Sequence, residues 1–314
     1  MSIADKRYKL NTGAEIPALG LGTWKSSPEE VQDAVYHAIK VGYRHIDTAF
    51  AYQNEEDVGK GIRKAIDEGL VKREDLFVTT KLWATYAERV EENLELSLKA
   101  LGLDYVDLYL VHWPIYMNPN GNHPLFPTLP DGTRDLIRTH NHVNTWKAME
   151  KLPATGKVKA IGVSNYSVRY LEQLLAEATI VPAVNQIENH PALPQQDIVD
   201  FCNARGIVIT AYSPLGSTGS PLLTADPVVQ IAKKRGVSPA TVLLSWHLAR
   251  NSVVLAKSVN PDRITANRNL VELDADDLAL IKQYSDDLTA KKQLQRYVDP
   301  PFNVDFGFFD KTYK

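Results

Sequence analysis

An alternation along the chain constrains its fold more than any other feature. Short apolar runs recur between amphipathic patterns: ALGLG, YRHID, DLFVTTK, YVDLYLVHW, VKAIGVSN, PAVNQIE, GIVITAYS and SVVLAKS. Between them lie segments such as PEEVQDAVYHAIKVG, ERVEENLELSLKALG and NTWKAMEKLPATG, apolar at i, i+3 and i+4 and closing near glycine, which predicts helices. The runs lack an inside/outside alternation, as strands covered by helices on both faces do. Eight such strands within 314 residues predict an α/β fold, a (β/α)8 TIM barrel, with an open doubly wound sheet as the alternative. Asn11-Thr12-Gly13 supplies a turn, so an N-terminal hairpin is expected before the first barrel strand. No linker or low-complexity stretch divides the chain, and residues 1–314 are expected to be one barrel domain. Two stretches exceed plain βα connections, residues 115–142 and the tail from 291 onward, and loops of that length are usually functional.

Composition excludes several classes of partner. The net charge is 35 − 38 = −3, so no global basic field points to nucleic acid or to an anionic membrane. No window approaches the roughly 18 uncharged apolar residues of a membrane span. The single cysteine, Cys202, forbids an intramolecular disulfide and fits a reducing compartment. A cytoplasmic monomer acting on a small molecule is the expectation. His123, His140, His142 and His190 have no metal-ligand spacing, so no metal is expected and they read as loop or surface residues.

A barrel carries its chemistry at the C-terminal ends of its strands. Those ends hold Trp24, Asp47 with Tyr52 just beyond, Lys81 and Trp83, His112 and Trp113, Ser164 and Asn165, Gln186, Tyr212, and Lys257-Ser258. Buried polar groups cost free energy unless they satisfy one another. Asp, Lys, Tyr and His at neighbouring strand ends therefore read as a reaction centre. A phenol with a pKa near 10 is a poor acid at neutral pH. An adjacent ammonium is expected to lower that value, with a carboxylate holding the ammonium in place. Tyr52 then donates a proton to a carbonyl oxygen that His112 also hydrogen-bonds. None of these groups supplies a hydride, which implies a nicotinamide cofactor.

These residues stand in motifs. Asp47-x4-Tyr52, Lys81-Leu-Trp83 and His112-Trp113-Pro114 resemble the catalytic motifs of the aldo-keto reductase family. The likeness extends to GLGTW (20–24), GVSN (162–165), NQIE (185–188), AYSPLG (211–216) and AKSVNPDRITAN (256–267). The pattern is most similar to fungal NADP-dependent glycerol dehydrogenase and glyceraldehyde reductase members. The resemblance implies a (β/α)8 barrel and reversible NADP(H)-linked reduction of aldehydes and ketones. It implies Tyr52 as acid/base, Lys81 and Asp47 as the groups that depress its pKa, and His112 as the group orienting the carbonyl.

The same resemblance implies the cofactor contacts. Gly22, Thr23, Trp24 and Asp47 begin the set. Ser164, Asn165 and Gln186 hold the carboxamide, and Tyr212 lies under the nicotinamide ring. Ser213, Leu215 and Ser217 form a loop over the pyrophosphate. Lys257, Ser258, Val259 and Arg263 clamp the adenosine 2′-phosphate, which selects NADPH over NADH, and Asn267 meets the adenine. Ala266 departs from relatives that carry an acid there. The substrate walls are Trp24, Tyr52, Trp83, His112, Trp113 and Val298, with the aromatic tail closing the pocket. Ala51 and Val298 replace polar residues of pentose reductases, so small or aromatic aldehydes and short hydroxyaldehydes such as glyceraldehyde are expected over pentoses. Glycerol or sugar and uronate oxidation–reduction within the family is the nearest alternative. A catalytically weak NADPH-binding regulatory subunit and a Lys81 Schiff-base aldolase are the more distant ones. Gly20-Leu21-Gly22 is not a dinucleotide fingerprint, because Lys25 stands where its third glycine is needed. The two glycines are instead expected to allow close approach of cofactor or substrate.

Overall fold

A two-stranded antiparallel hairpin, β1 (Arg7–Lys9) with β2 (Glu15–Pro17), precedes eight parallel strands that close on themselves. The computed structural model describes residues 2–217 and 220–310. The barrel strands are β3 (Leu19–Gly22), β4 (His45–Asp47), β5 (Phe77–Leu82), β6 (Val106–Val111), β7 (Val158–Ser164), β8 (Val184–Glu188), β9 (Val208–Tyr212) and β10 (Val253–Lys257). Each pairs with the next, and β10 returns to β3 through Val254 opposite Leu19. All eight apolar runs are barrel strands, so the closed barrel holds and the open sheet does not. β5 and β6 are each buried along six consecutive residues, the pattern of strands enclosed by side chains inside and helices outside.

The outer layer is α1 (Pro28–Lys40), α2 (Glu55–Asp67), α3 (Val90–Leu101), α4 (His142–Met149), α5 (Val168–Leu175), α6 (Gln196–Asn203), α7 (Asp226–Arg235), α8 (Pro239–Ala249), α9 (Pro261–Ala266) and α10 (Ala275–Ala290). Their ends follow local chemistry. Pro stands in the first turn of α1, α7, α8 and α9, where its missing N–H costs nothing. Gly102 and Gly236 close α3 and α7 in the left-handed region. The helix expected over NTWKAMEKLPATG ends early, at Met149. Pro153 cannot continue it, and a separate 3-10 turn at Leu152–Thr155 completes the connection.

Gly20 differs from the expectation of ligand access. A Cβ on Gly20 would sit 2.7 Å from Leu255 and 2.8 Å from the His45 ring, so this glycine serves barrel packing. Gly22 has ordinary room, 3.7 Å from the Lys257 Cβ. The closest approach to another stretch of backbone is at Gly59 on α2, where a Cβ would fall on the Leu101 carbonyl at the end of α3. Gly59→Ala is therefore expected to force the two helices apart and cost about 1–3 kcal/mol. Thermal unfolding should show a Tm lower by several degrees, with activity per folded molecule retained.

Candidate active site

The strand ends bring the predicted residues together around one buried ion pair. Lys81 on β5 is 0% exposed and its Nζ lies 2.7 Å from Oδ1 of Asp47, the last residue of β4. The same ammonium donates to the Thr48 carbonyl at 2.9 Å and to the Tyr52 hydroxyl at 3.4 Å. The second Asp47 oxygen accepts from Gln186 Nε2 on β8, at 2.8 Å. From there hydrogen bonds run round the barrel mouth. Ser164 Oγ donates to the Gln186 carbonyl, Asn165 Nδ2 to Ser164 Oγ and to the His112 carbonyl, and the Tyr212 hydroxyl to Asn165 Oδ1 at 2.7 Å. Thr23 joins through its hydroxyl, which donates to the Asp47 carbonyl. Eight of the predicted residues, His112 through its carbonyl, thus share one connected network beside the Tyr52 phenol.

Burial sets the proton affinities here. The Lys81 ammonium is pushed below its ordinary value by burial, and Asp47 opposes that shift. The His112 imidazole is pushed well down, first by burial and then by the Lys81 charge, so it is neutral at neutral pH. Tyr52 departs from expectation. Burial raises its phenol well above 10, and the Asp47 charge acts in the same direction. The phenol is thus raised rather than lowered in this structure, and Tyr52 is protonated at neutral pH.

Aromatic groups surround the phenol. The Tyr52 and His112 rings meet edge to face at 5.6 Å, and Trp83 packs on His112 at 5.3 Å. Trp113 is covered by Phe302 and Phe306 of the tail, at 5.3 and 5.4 Å. Trp24 is the outlier of the three tryptophans: it is 40% exposed, its ring 6.5 Å from Tyr52, with the Lys25 ammonium 4.3 Å from its ring centre. Toward the far edge of the mouth, Ser258 is buried, Val259 and Asn267 are half-buried, and Lys257 and Arg263 are exposed. Ser213 and Leu215 are half-buried in the loop after β9, with Ser217 at its exposed end.

Comparison with known proteins agrees with this architecture. The model of the aldo/keto reductase family matches residues 18–286. The chain belongs to the aldo/keto reductase family. It is an oxidoreductase of the carbonyl–alcohol pair. A D-galacturonate reductase from Hypocrea jecorina is 63% identical over 305 residues, covering 97% of this chain and 98% of that protein. A glycerol 2-dehydrogenase (NADP(+)) from Saccharomyces cerevisiae is 49% identical over 309 residues, 95% and 96% of the two chains. A D/L-glyceraldehyde reductase from Hypocrea jecorina is 46% identical over 288 residues, 87% and 86% of the two. Among solved structures, an aldose reductase from Schistosoma japonicum is similar, with a TM-score of 0.84 at 40% identity, covering 88% of this chain and 91% of that one.

The aldo/keto reductase site includes features that sequence reading passed over. Lys25, Gln53, Asn165 and Ser213 all have positive φ, between 50° and 63°. Each directly follows a predicted site residue: Trp24, Tyr52, Ser164 and Tyr212. Left-handed backbone at a residue other than glycine costs about 1–3 kcal/mol and gathers where function over-determines the chain. His142 and His190 are buried, not superficial. His190 Nε2 pairs with Glu188 at 3.0 Å, and His142 Nε2 with Gln173 at 3.2 Å. Glu188, the last residue of β8, is fully buried and accepts from the backbone N–H of Tyr297 and of Val298, each at 2.8 Å. The barrel thus fixes the start of the tail and with it Val298. Further along, Ser167 donates to the Phe306 carbonyl and Arg169 pairs with Asp305. Asp47→Asn leaves a buried cation without its counter-ion, at a cost of about 3–5 kcal/mol. Urea unfolding should show that loss, and Lys81→Met added to Asp47→Asn should recover most of it.

Proposed function

We propose that this protein reduces aldehydes and ketones with NADPH, with Tyr52 as proton donor, across a barrel formed by residues 1–314. The observation that carries the reading is the protonated Tyr52 phenol within 3.4 Å of a buried ammonium, facing a neutral imidazole. A neutral phenol is the form a carbonyl oxygen needs when it gains charge. Lys81 stabilises the phenolate left behind, and Asp47 keeps Lys81 oriented through their 2.7 Å contact. His112 directs a ring nitrogen at the same oxygen, which fixes the carbonyl face. When bound, the dihydronicotinamide supplies the hydride to the carbonyl carbon.

The residues fit such a cofactor by their donor chemistry. Ser164, Asn165 and Gln186 form a polar set beside the Asp47 carboxylate, suited to a carboxamide, with the Tyr212 ring as its platform. Ser213, Leu215 and Ser217 would flank the diphosphate, and Gly22, Thr23 and Trp24 border the mouth. Lys257 and Arg263 are exposed cations near the Ser258 hydroxyl, a set suited to a 2′-phosphate dianion. Val259 and Asn267 border the adenosine. NADP-linked relatives support the choice of nucleotide. Cytoplasmic location and a monomeric state belong to the same reading. No helix among the described residues is long and apolar enough to cross a membrane.

For substrate, the apolar walls Trp83, Trp113 and Val298 and the absence of a polar side chain at Ala51 favour small or aromatic aldehydes and short hydroxyaldehydes such as glyceraldehyde. A second reading, a hexuronate as substrate, is favoured by the 63% identity to a D-galacturonate reductase. A kinetic panel of glyceraldehyde, aromatic aldehydes, pentoses and uronates with NADPH separates the two by kcat/KM. In that panel Tyr52→Phe should lose at least about 100-fold in kcat, the scale of a missing general acid, while NADPH binding stays unchanged. Wild-type turnover by that variant removes Tyr52 from the role. Replacing Lys257 or Arg263 by Ala should weaken NADPH about 10- to 100-fold, as expected for a charge-assisted contact, and leave NADH unaffected. Fluorescence titration reads both affinities.

A further inference from the structure

Tyr52 does not stand on a regular element. It ends a single 3-10 turn, Phe50–Tyr52, beyond the end of β4. Its distance from Lys81 therefore depends on what fixes the three residues that follow. Gln53 takes the left-handed conformation at φ 58°. Asn54, 3% exposed, donates to the carbonyls of Thr23 and Ser26, at 3.0 and 3.3 Å. Glu55, the first residue of α2 and 4% exposed, accepts from Thr80 Oγ1 at 2.5 Å and from Ser97 Oγ at 2.9 Å. Thr80 immediately precedes Lys81 on β5. Side chains alternate along a strand, so Thr80 turns to the helical layer while Lys81 turns into the barrel. Glu55 is thereby bonded to the stretch of backbone that carries the ammonium.

We propose that Glu55 is a positioning residue for proton transfer: its carboxylate ties the turn bearing Tyr52 to the strand bearing Lys81, and its charge helps hold Lys81 protonated. The inference rests on the reading of Tyr52 and Lys81 given above. A buried carboxylate is a costly way to satisfy two hydroxyls, which an amide or another hydroxyl serves more cheaply. The cost is visible, because burial pushes the Glu55 carboxyl up to about 7 against the pull of Thr80, Ser97 and the Lys81 charge. Lys81 in turn is pulled toward its charged form by Asp47 first and by Glu55 next. Lys81 thus has a second anion, placed behind its own strand.

The surroundings leave Lys81 as the one cation that Glu55 serves. From β5 it meets Thr80 and the charge of Lys81, and from β6 the buried Tyr109 phenol, which Glu55 pushes further up. From α3 it meets Ser97, while Glu91, Glu92, Glu95 and Lys99 lie on the exposed side of that helix. On its own helix, Asp57 pairs with Lys60, Arg63 donates to the Leu101 carbonyl, and Glu56 is exposed.

The test is Glu55→Gln in the full-length enzyme, with kcat and kcat/KM for glyceraldehyde and NADPH measured from pH 6 to 10. The expected result is a kcat lower by about tenfold and an alkaline limb lower by about one pH unit, because Lys81 gives up its proton sooner. NADPH affinity should be unchanged, and the moved alkaline limb is the discriminating readout, because loss of folded protein lowers kcat equally at every pH. A wild-type kcat with an unmoved alkaline limb overturns the proposal. Should Glu55→Gln not accumulate as folded protein, Ser97→Ala decides. It removes one tie without touching Tyr52 or Lys81 and raises the Glu55 pKa. A two- to threefold lower kcat at pH 7 that recovers above pH 8 supports the proposal; wild-type behaviour at every pH refutes it. Tyr52→Phe separates the two levels. If that variant turns over normally, the underlying reading falls; if it is inactive while Glu55→Gln behaves as wild type, only the role of Glu55 falls.

Discussion

The arrangement of this barrel mouth follows from one cation held out of water. An ammonium with no solvent access keeps its proton only if counter-charge and acceptors are already in place. Asp47 supplies the charge, Thr48 a carbonyl and Tyr52 a hydroxyl, and each comes from β4 or the turn after it. The carboxylate needs partners of its own, which brings in Gln186 from across the barrel and through it Ser164, Asn165 and Tyr212. Satisfying a single buried charge thus organises side chains from strands far apart in sequence. A closed barrel is suited to this, because all eight strand ends converge on one rim.

The same dryness decides the direction of each proton affinity. His112 is held neutral and Tyr52 held protonated for a common reason: burial, nearly complete for His112 and partial for Tyr52, withholds water that would stabilise their ions. The Tyr52 phenol is not an anion in waiting. It stays a weak acid in the resting protein, and in the proposed reaction the ammonium beside it matters once negative charge develops on the oxygen. Four left-handed residues next to site positions show that the backbone is also held away from its relaxed state here. The surrounding strands and helices hold these conformations in place.

Much of this was legible in the sequence. Eight apolar runs between amphipathic segments announce parallel strands covered on both faces, and their number favours a barrel, while closure itself is seen only where β10 pairs with β3. The barrel rule then points to strand ends, where Asp47, Lys81 and His112 stand out as polar residues in apolar surroundings, with Tyr52 close behind. What escaped depends on partners remote in sequence. Glu55 reads as one more acid at a helix start until Thr80 and Ser97 are seen above it. His190 reads as a loop residue until Glu188 closes on it. The tail from 291 to 310 has neither helix nor strand among its described residues, so no periodicity announces its path. The upward shift of the Tyr52 phenol needs the extent of burial, which residue types alone do not give. The early end of α4 is written in the sequence at Pro153, whose ring conflicts with a helical carbonyl four residues earlier.

The grip of Glu188 on the tail has a consequence for how such a pocket can diversify. The carboxylate holds two main-chain amides, those of Tyr297 and Val298, and an amide is the same whatever side chain it carries. The anchorage is therefore indifferent to the residue it positions, provided that residue is not proline. Substitutions at position 298 can reshape the surface the side chain presents while its attachment to the barrel persists. Anchorage and surface chemistry are in this way assigned to different atoms of one residue.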